Sequence, residues 1–104
     1  METFGKILLV CDDDSYSVYI KEQLLDSKVS SVFVESSAQA GILSLKQGSY
    51  DLVFIKYTTD TDTALLISEL KKIDPDCVIV ILFEAGQEEE VGNLMDLGIY
   101  DSLS

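Results

Sequence analysis

Arginine and histidine are both absent from this chain of 104 residues, and its only cations are seven lysines set against nineteen acids, a formal charge of −12. So acidic a surface repels phosphate backbones and anionic lipid, which argues against nucleic acid and membrane as direct partners. The lack of histidine, the lack of a nucleophile elbow and the placing of both cysteines in or beside apolar runs leave little catalytic machinery to name, and the chain reads as a non-enzyme. Cys11 and Cys77 have no metal-type spacing and read as reduced core thiols of a cytoplasmic protein. No run approaches membrane-spanning length, Met1-Glu2-Thr3 carries no basic n-region, and residues 7–11 are too short an apolar run for a signal peptide. The glycine-rich turn that a dinucleotide needs after a first strand is missing as well; Cys11-Asp12-Asp13-Asp14 stands there, three carboxylates where an anion would have to lie. That arrangement excludes a phosphate cofactor unless a cation intervenes, and clustered carboxylates at strand ends suit hard cations such as Mg²⁺.

What is present is regular. The stretch from Tyr50 to Asp60 follows a Gly48-Ser49 turn signal, runs through Leu52-Val53-Phe54-Ile55 and stops at Lys56 before a polar loop. An apolar run of this kind predicts a strand covered on both faces, in the middle of a sheet. Around it the pattern predicts a strand over 6–11 and a helix from the acidic turn to about Ser27, with Val18, Ile20, Leu24 and Leu25 apolar. A strand over 31–35 follows, then a helix capped by Ser36 or Ser37 with Ala40, Leu43 and Leu45 on its apolar side and Gly48 as its stop. Beyond Lys56 the pattern predicts a helix over 62–73 ended by Asp74-Pro75, and a strand over 77–83. A helix over 87–97 follows, with Val91, Leu94, Met95 and Leu97 apolar and Gly98 as its C′ residue, and then a strand over 99–103. Strands alternating with helices of this length imply right-handed βαβ units, hence a single doubly wound α/β domain with a parallel five-stranded sheet. Ligands of such sheets bind beyond the carboxyl ends of the central strands, where Lys56 stands.

Three blocks in order carry a resemblance. Ile7-Leu8-Leu9-Val10-Cys11-Asp12-Asp13, Gly48-Ser49-Tyr50-Asp51-Leu52-Val53-Phe54-Ile55 and Leu97-Gly98-Ile99-Tyr100-Asp101 resemble the receiver domain of two-component response regulators, in register without gaps over essentially the whole chain. The resemblance implies a flavodoxin-like fold with strand order 2-1-3-4-5. It further implies a Mg²⁺-dependent phosphoacceptor aspartate ending the third strand, a threonine or serine ending the fourth, and a lysine after the fifth.

The chain departs from that pattern at nearly every chemical position. The acidic pair ending the first strand falls on Cys11 and Asp12, or, slid by one residue, on Asp12 and Asp13. The phosphoacceptor position falls on Lys56, and the loop from Thr59 to Ala64 lacks the family's proline and glycine. The switch hydroxyl falls on Phe83, the switch aromatic on Ser102, and the family's lysine would follow Ser104. A protonated lysine is neither the usual nucleophile nor a metal ligand. Its ammonium is expected to pair with Asp12 or Asp13 as a built-in cation in place of Mg²⁺, a gross attraction of about 4 kcal/mol per pair at ~4 Å and an effective dielectric of ~20. The competing expectation is a Lys56 that points into solvent.

Phe83 either locks the switch position in one state or merely caps the apolar run of its strand. Asp60 and Asp62 are alternative acceptors or N-caps, and Glu88-Glu89-Glu90 complements a helix N-terminus or shapes a binding face. The receiver pattern also includes a fifth helix that nothing here supplies, so residues 1–104 read as a C-terminally truncated receiver-like domain, with self-association or a protein partner expected over the open face. The leading function is a phosphorylation-incompetent receiver-like domain, an interaction or dimerisation module of bacterial signalling that takes no cofactor. The alternative is a working Mg²⁺-dependent phosphorelay receiver with an unconventional acceptor aspartate.

Overall fold

The computed structural model describes residues 4–26, 29–59 and 62–103. Five parallel strands, β1 (Phe4–Val10), β2 (Val29–Glu35), β3 (Leu52–Lys56), β4 (Ile79–Leu82) and β5 (Asp101–Leu103), lie in the order β2-β1-β3-β4-β5. Four helices connect them: α1 (Asp14–Asp26), α2 (Ala38–Gln47), α3 (Thr63–Ile73) and α4 (Glu88–Gly92). This is the flavodoxin-like doubly wound sheet, in the expected strand order.

Period-two alternation along the strands divides the core into two layers. Leu8, Val10, Val53, Ile55, Ile79 and Ile81 face α2 and α3, where they meet Leu45, Leu66, Ile67 and Leu70. Ile7, Leu9, Phe54, Val80 and Leu82 face the other way, toward Tyr16, Ile20 and Leu24 of α1. Leu8, Leu9, Val53, Ile67 and Ile79 have no exposed surface, and each such side chain contributes about 1.5–3 kcal/mol on burial.

The helices differ from the sequence pattern in ways that have causes. In α1 the inward residues are Ser17, Ile20 and Leu24, whereas Val18 and Leu25 lie about a quarter turn away and are exposed. In α2 the inward side is Ala38, Gly41, Ile42 and Leu45, and Leu43 is exposed. Gly41 lets α2 approach β1 closely: a Cβ there would lie 2.7 Å from Val10 Cγ2. Ser37 caps α2 by accepting the Ala40 N–H, and Asp62 caps α3 by accepting the Leu65 N–H. The expected helix over 87–97 is broken: α4 ends at Gly92 and a single 3₁₀ turn covers Met95–Leu97, because Gly92-Asn93 is a weak helix-forming pair. Val91 and Leu94 are buried as expected, but Met95 and Leu97 are not. Gly98 closes that turn in the left-handed region, with φ 87°. β4 is also shorter than the pattern predicts, leaving Cys77 and Phe83 outside it.

Candidate functional site

The sheet register fixes which residues meet at the carboxyl edge. Val10 pairs with Ile55, so Cys11 and Lys56 are level on neighbouring strands, and Lys56 pairs in turn with Leu82 of β4. A cavity of about 20 Å³ opens between these strand ends and the start of α2, lined among others by Asp12, Ser36, Ser37, Lys56 and Thr58. A space of that size admits about one water molecule.

Lys56 has a buried side chain, only 7% exposed. Its Nζ donates to the Tyr57 carbonyl at 3.2 Å, stands 3.7 Å from Glu84 Oε1 and lies 5.3 Å from the centre of the Tyr16 ring. Both sequence expectations for this residue need correction: it neither pairs with Asp12 or Asp13 nor points into solvent. The reason lies in competing hydrogen bonds. Asp13 is the cap of α1, its Oδ1 accepting the Tyr16 N–H at 3.0 Å and its carbonyl accepting the Ser17 N–H at 2.9 Å. Asp12 lines the same cavity as Lys56 but is exposed, with water to solvate it. Glu84, in the loop after β4, is therefore the carboxylate that neutralises the ammonium. Its side chain is 68% exposed, so the pair is open to solvent on one side only.

Cys11 is buried beside this group, and its thiol donates to the Asp13 carbonyl at 3.5 Å. Burial pushes its pKa up, with the negative charges of Asp12 and Asp13 adding to the effect, so it stays a neutral thiol. Burial likewise raises the Tyr16 hydroxyl and the Cys77 thiol. Both cysteines are free. Thr58 Oγ1 and Thr63 Oγ1 are buried with no hydrogen-bond partner among the described residues.

Among the described residues, the remaining predicted positions do not line the cavity. Phe83 is half-buried and packs against the α2–α3 core layer. Ser102 is half-buried in β5 opposite Ile81. Asp62 is spent on capping α3, and Asp60 lies outside the described residues. Glu88, Glu89 and Glu90 form the first turn of α4, as the macrodipole favours.

Sequence reasoning missed Glu84, Tyr16 and Thr58. Glu84 was accessible in principle, since it is the first carboxylate after β4 and the β3–β4 pairing brings that strand end beside Lys56. The donor set does not fit Mg²⁺, which asks for several oxygens in near-octahedral array. Among the described residues no three His, Cys, Asp or Glu side chains are grouped to hold a metal, and a cation of the protein itself, Lys56, lines the cavity.

No protein-family model matches the chain, and no curated protein is significantly similar to it. Solved structures are similar in fold. A response regulator receiver domain protein from Clostridium thermocellum superposes with a TM-score of 0.84 at 24% identity, over 95% of this chain and 80% of that one. The CheX–CheY–BeF₃–Mg²⁺ complex from Borrelia burgdorferi gives 0.84 at 14% identity, over 95% and 76%. The beryllofluoride-activated NtrC4 receiver domain dimer gives 0.82 at 17%, over 94% and 81%. The chain thus has the fold of response regulator receiver domains.

Proposed function

We propose that this chain is a receiver-like domain that does not accept phosphate and works in signal transduction as a non-enzymatic protein-interaction or dimerisation module. The observation that carries the reading is the buried Lys56 ammonium at the carboxyl end of β3, neutralised by Glu84 and bonded to the Tyr57 carbonyl. Phosphoryl acceptance at this place needs a carboxylate that attacks phosphorus while a metal neutralises the incoming oxygens. A protonated amine supplies no electron pair. Cys11 is no substitute nucleophile, since burial keeps it protonated.

The interaction half of the reading is supported by apolar surface on the molecule. Tyr100 is 74% exposed beside a hollow of about 410 Å³ lined by Leu52, Val78 and Val80. Structures of similar fold include a receiver dimer and a complex of two proteins. Among the described residues no helix is long and apolar enough to cross a membrane.

The deciding experiment is incubation with acetyl phosphate and Mg²⁺, followed by intact mass. An unchanged mass is expected, together with no change in amide shifts around Lys56 when beryllofluoride is added. A covalent phosphoryl adduct would overturn the reading in favour of a working receiver with an unconventional acceptor.

A further inference from the structure

The two edges of the sheet are unlike. β5 carries the exposed Asp101, a charge on the edge of the kind that resists pairing. β2 is seven residues long, Val-Ser-Ser-Val-Phe-Val-Glu, with no proline, no lysine and a single charge at its end. It also shows apolar side chains on both faces: Phe33 is 42% exposed on the α2 side and Val34 is 37% exposed on the α1 side. The Phe33 ring is already held in place, edge-on to Tyr50 with centroids 5.9 Å apart and under the Lys6 ammonium at 5.2 Å. A ring fixed in advance loses little freedom when something docks against it.

The hydrogen bonds to β1 settle which groups face outward. The Glu35 carbonyl accepts the Cys11 N–H at 3.0 Å, so Glu35, and with it Phe33 and Ser31, turns its backbone toward β1. Val32 and Val34 therefore present their N–H and C=O groups to the open edge. We infer that β2 is the self-association edge of this protein, pairing antiparallel with β2 of a second copy about a two-fold axis at Val32. This rests on the interaction-module reading and says where the module pairs with itself.

A second copy fits this edge for three reasons. An axis at Val32 makes Val32 meet its own counterpart as a mutually hydrogen-bonded pair, with both bonds supplied by outward-facing groups. The same register sets Phe33 opposite the small Ser31 of the other copy, and the two Phe33 rings fall on a diagonal, about 7–8 Å apart and within reach of each other. Charge is the third. The two Glu35 side chains go to opposite ends of the paired ribbon, six residues or about 20 Å apart, beyond the ~8 Å screening length at physiological salt. The repulsion that remains is between whole molecules of formal charge −12 each, so association strengthens as salt is added. A basic partner on an acidic surface would show the opposite salt dependence.

The test is sedimentation equilibrium of the whole chain across concentration and salt, for wild type, Val34→Pro, Val34→Lys and Tyr100→Lys. Proline at 34 deletes an outward N–H while leaving the β1 ladder intact, and lysine at 34 puts a charge on the edge without touching the backbone. A wild-type dimer that tightens with salt is expected, weakened about tenfold or more by either Val34 variant and unaffected by Tyr100→Lys. The amides of Val32 and Val34 should exchange more slowly as concentration rises. Far-UV circular dichroism checks that each variant is folded, and the lysine variant carries the test if the proline one is not. A wild type monomeric at every concentration, or a dimer broken by Tyr100→Lys and indifferent to Val34, overturns the edge pairing. Neither result touches the phosphorylation question, which the acetyl phosphate experiment decides separately.

Discussion

Replacing Lys56 with methionine separates what the ammonium contributes from what its carbon stem contributes. The side chain is 7% exposed, so the stem is packed, and methionine fills nearly the same length. At 3.7 Å from Glu84 and an effective dielectric of about 20, the gross attraction is ~4.5 kcal/mol. Against it stands the desolvation of a buried ammonium, itself several kcal/mol. The exposure of Glu84, at 68%, reduces the measurable pairing further, toward the ~0.2–1 kcal/mol of solvent-screened pairs. The Tyr16 ring adds about 0.5–1 kcal/mol and the hydrogen bond to Tyr57 about 1.5–3, which together roughly offset the desolvation. Lys56→Met is therefore expected within about 1 kcal/mol of wild type in urea unfolding. Lys56→Ala, which removes the packed stem as well, is expected to lose about 1–3 kcal/mol. Glu84→Gln should cost no more than ~1 kcal/mol, and the coupling in the Lys56→Met/Glu84→Gln cycle should be of that size. A loss above ~3 kcal/mol for Lys56→Met alone would refute the reasoning, since the ammonium would then be a net anchor of the fold and not a nearly balanced charge.

Other consequences are equally direct. Gly41→Ala gains helix propensity of about 1 kcal/mol but drives a methyl group into the stiff, buried Val10, so a net loss of about 1–3 kcal/mol is expected in urea unfolding; unchanged stability would mean that α2 can move off β1. Asp62→Ala removes the N-cap of α3 and should cost ~1 kcal/mol, seen as a lower Tm. Cys11, Cys77 and Tyr16 have raised pKa values in the folded chain, so their neutral forms stabilise it fully below the ordinary thiol value of 9.0, and that stability is lost as pH rises through the folded values. Tm should accordingly fall above about pH 9, less steeply in a Cys77→Ala background; a Tm that rises with pH there would contradict the burial of these groups. Both thiols should react with a disulfide reagent only as fast as the chain unfolds.

The sheet was legible because its central strands are apolar on both faces, and an uninterrupted Leu52-Val53-Phe54-Ile55 leaves no amphipathic alternative. Helix faces were less so. Val18, Leu25 and Leu43 are apolar and exposed, whereas Ser17 and Gly41 are buried, so hydrophobicity alone pointed α1 and α2 slightly wrong; at Gly41 the close approach of α2 to β1 selected glycine instead. The break in α4 followed from Gly92-Asn93, a local signal outweighed in the pattern by Val91, Leu94, Met95 and Leu97. At the site, the position of Lys56 was readable but its partner was not. Which of several acids neutralises a lysine depends on which of them is already engaged, and the capping bond from Asp13 to Tyr16 exists only once α1 has formed.

That partner choice changes what the position does in the fold. A carboxylate holding a metal keeps its interactions among the strand ends, and its charge is altered when phosphoryl is added. An ammonium paired with Glu84 reaches instead across to the loop after β4, where the Glu84 N–H donates to Gln87 and the Gly86 N–H to Glu88. The end of β3 is thereby linked to the loop before α4 by an ion pair that is open to solvent at Glu84. On the reading proposed above, regulation would act through concentration and partner supply, which makes the oligomeric state at the β2 edge the measurement that bears on it.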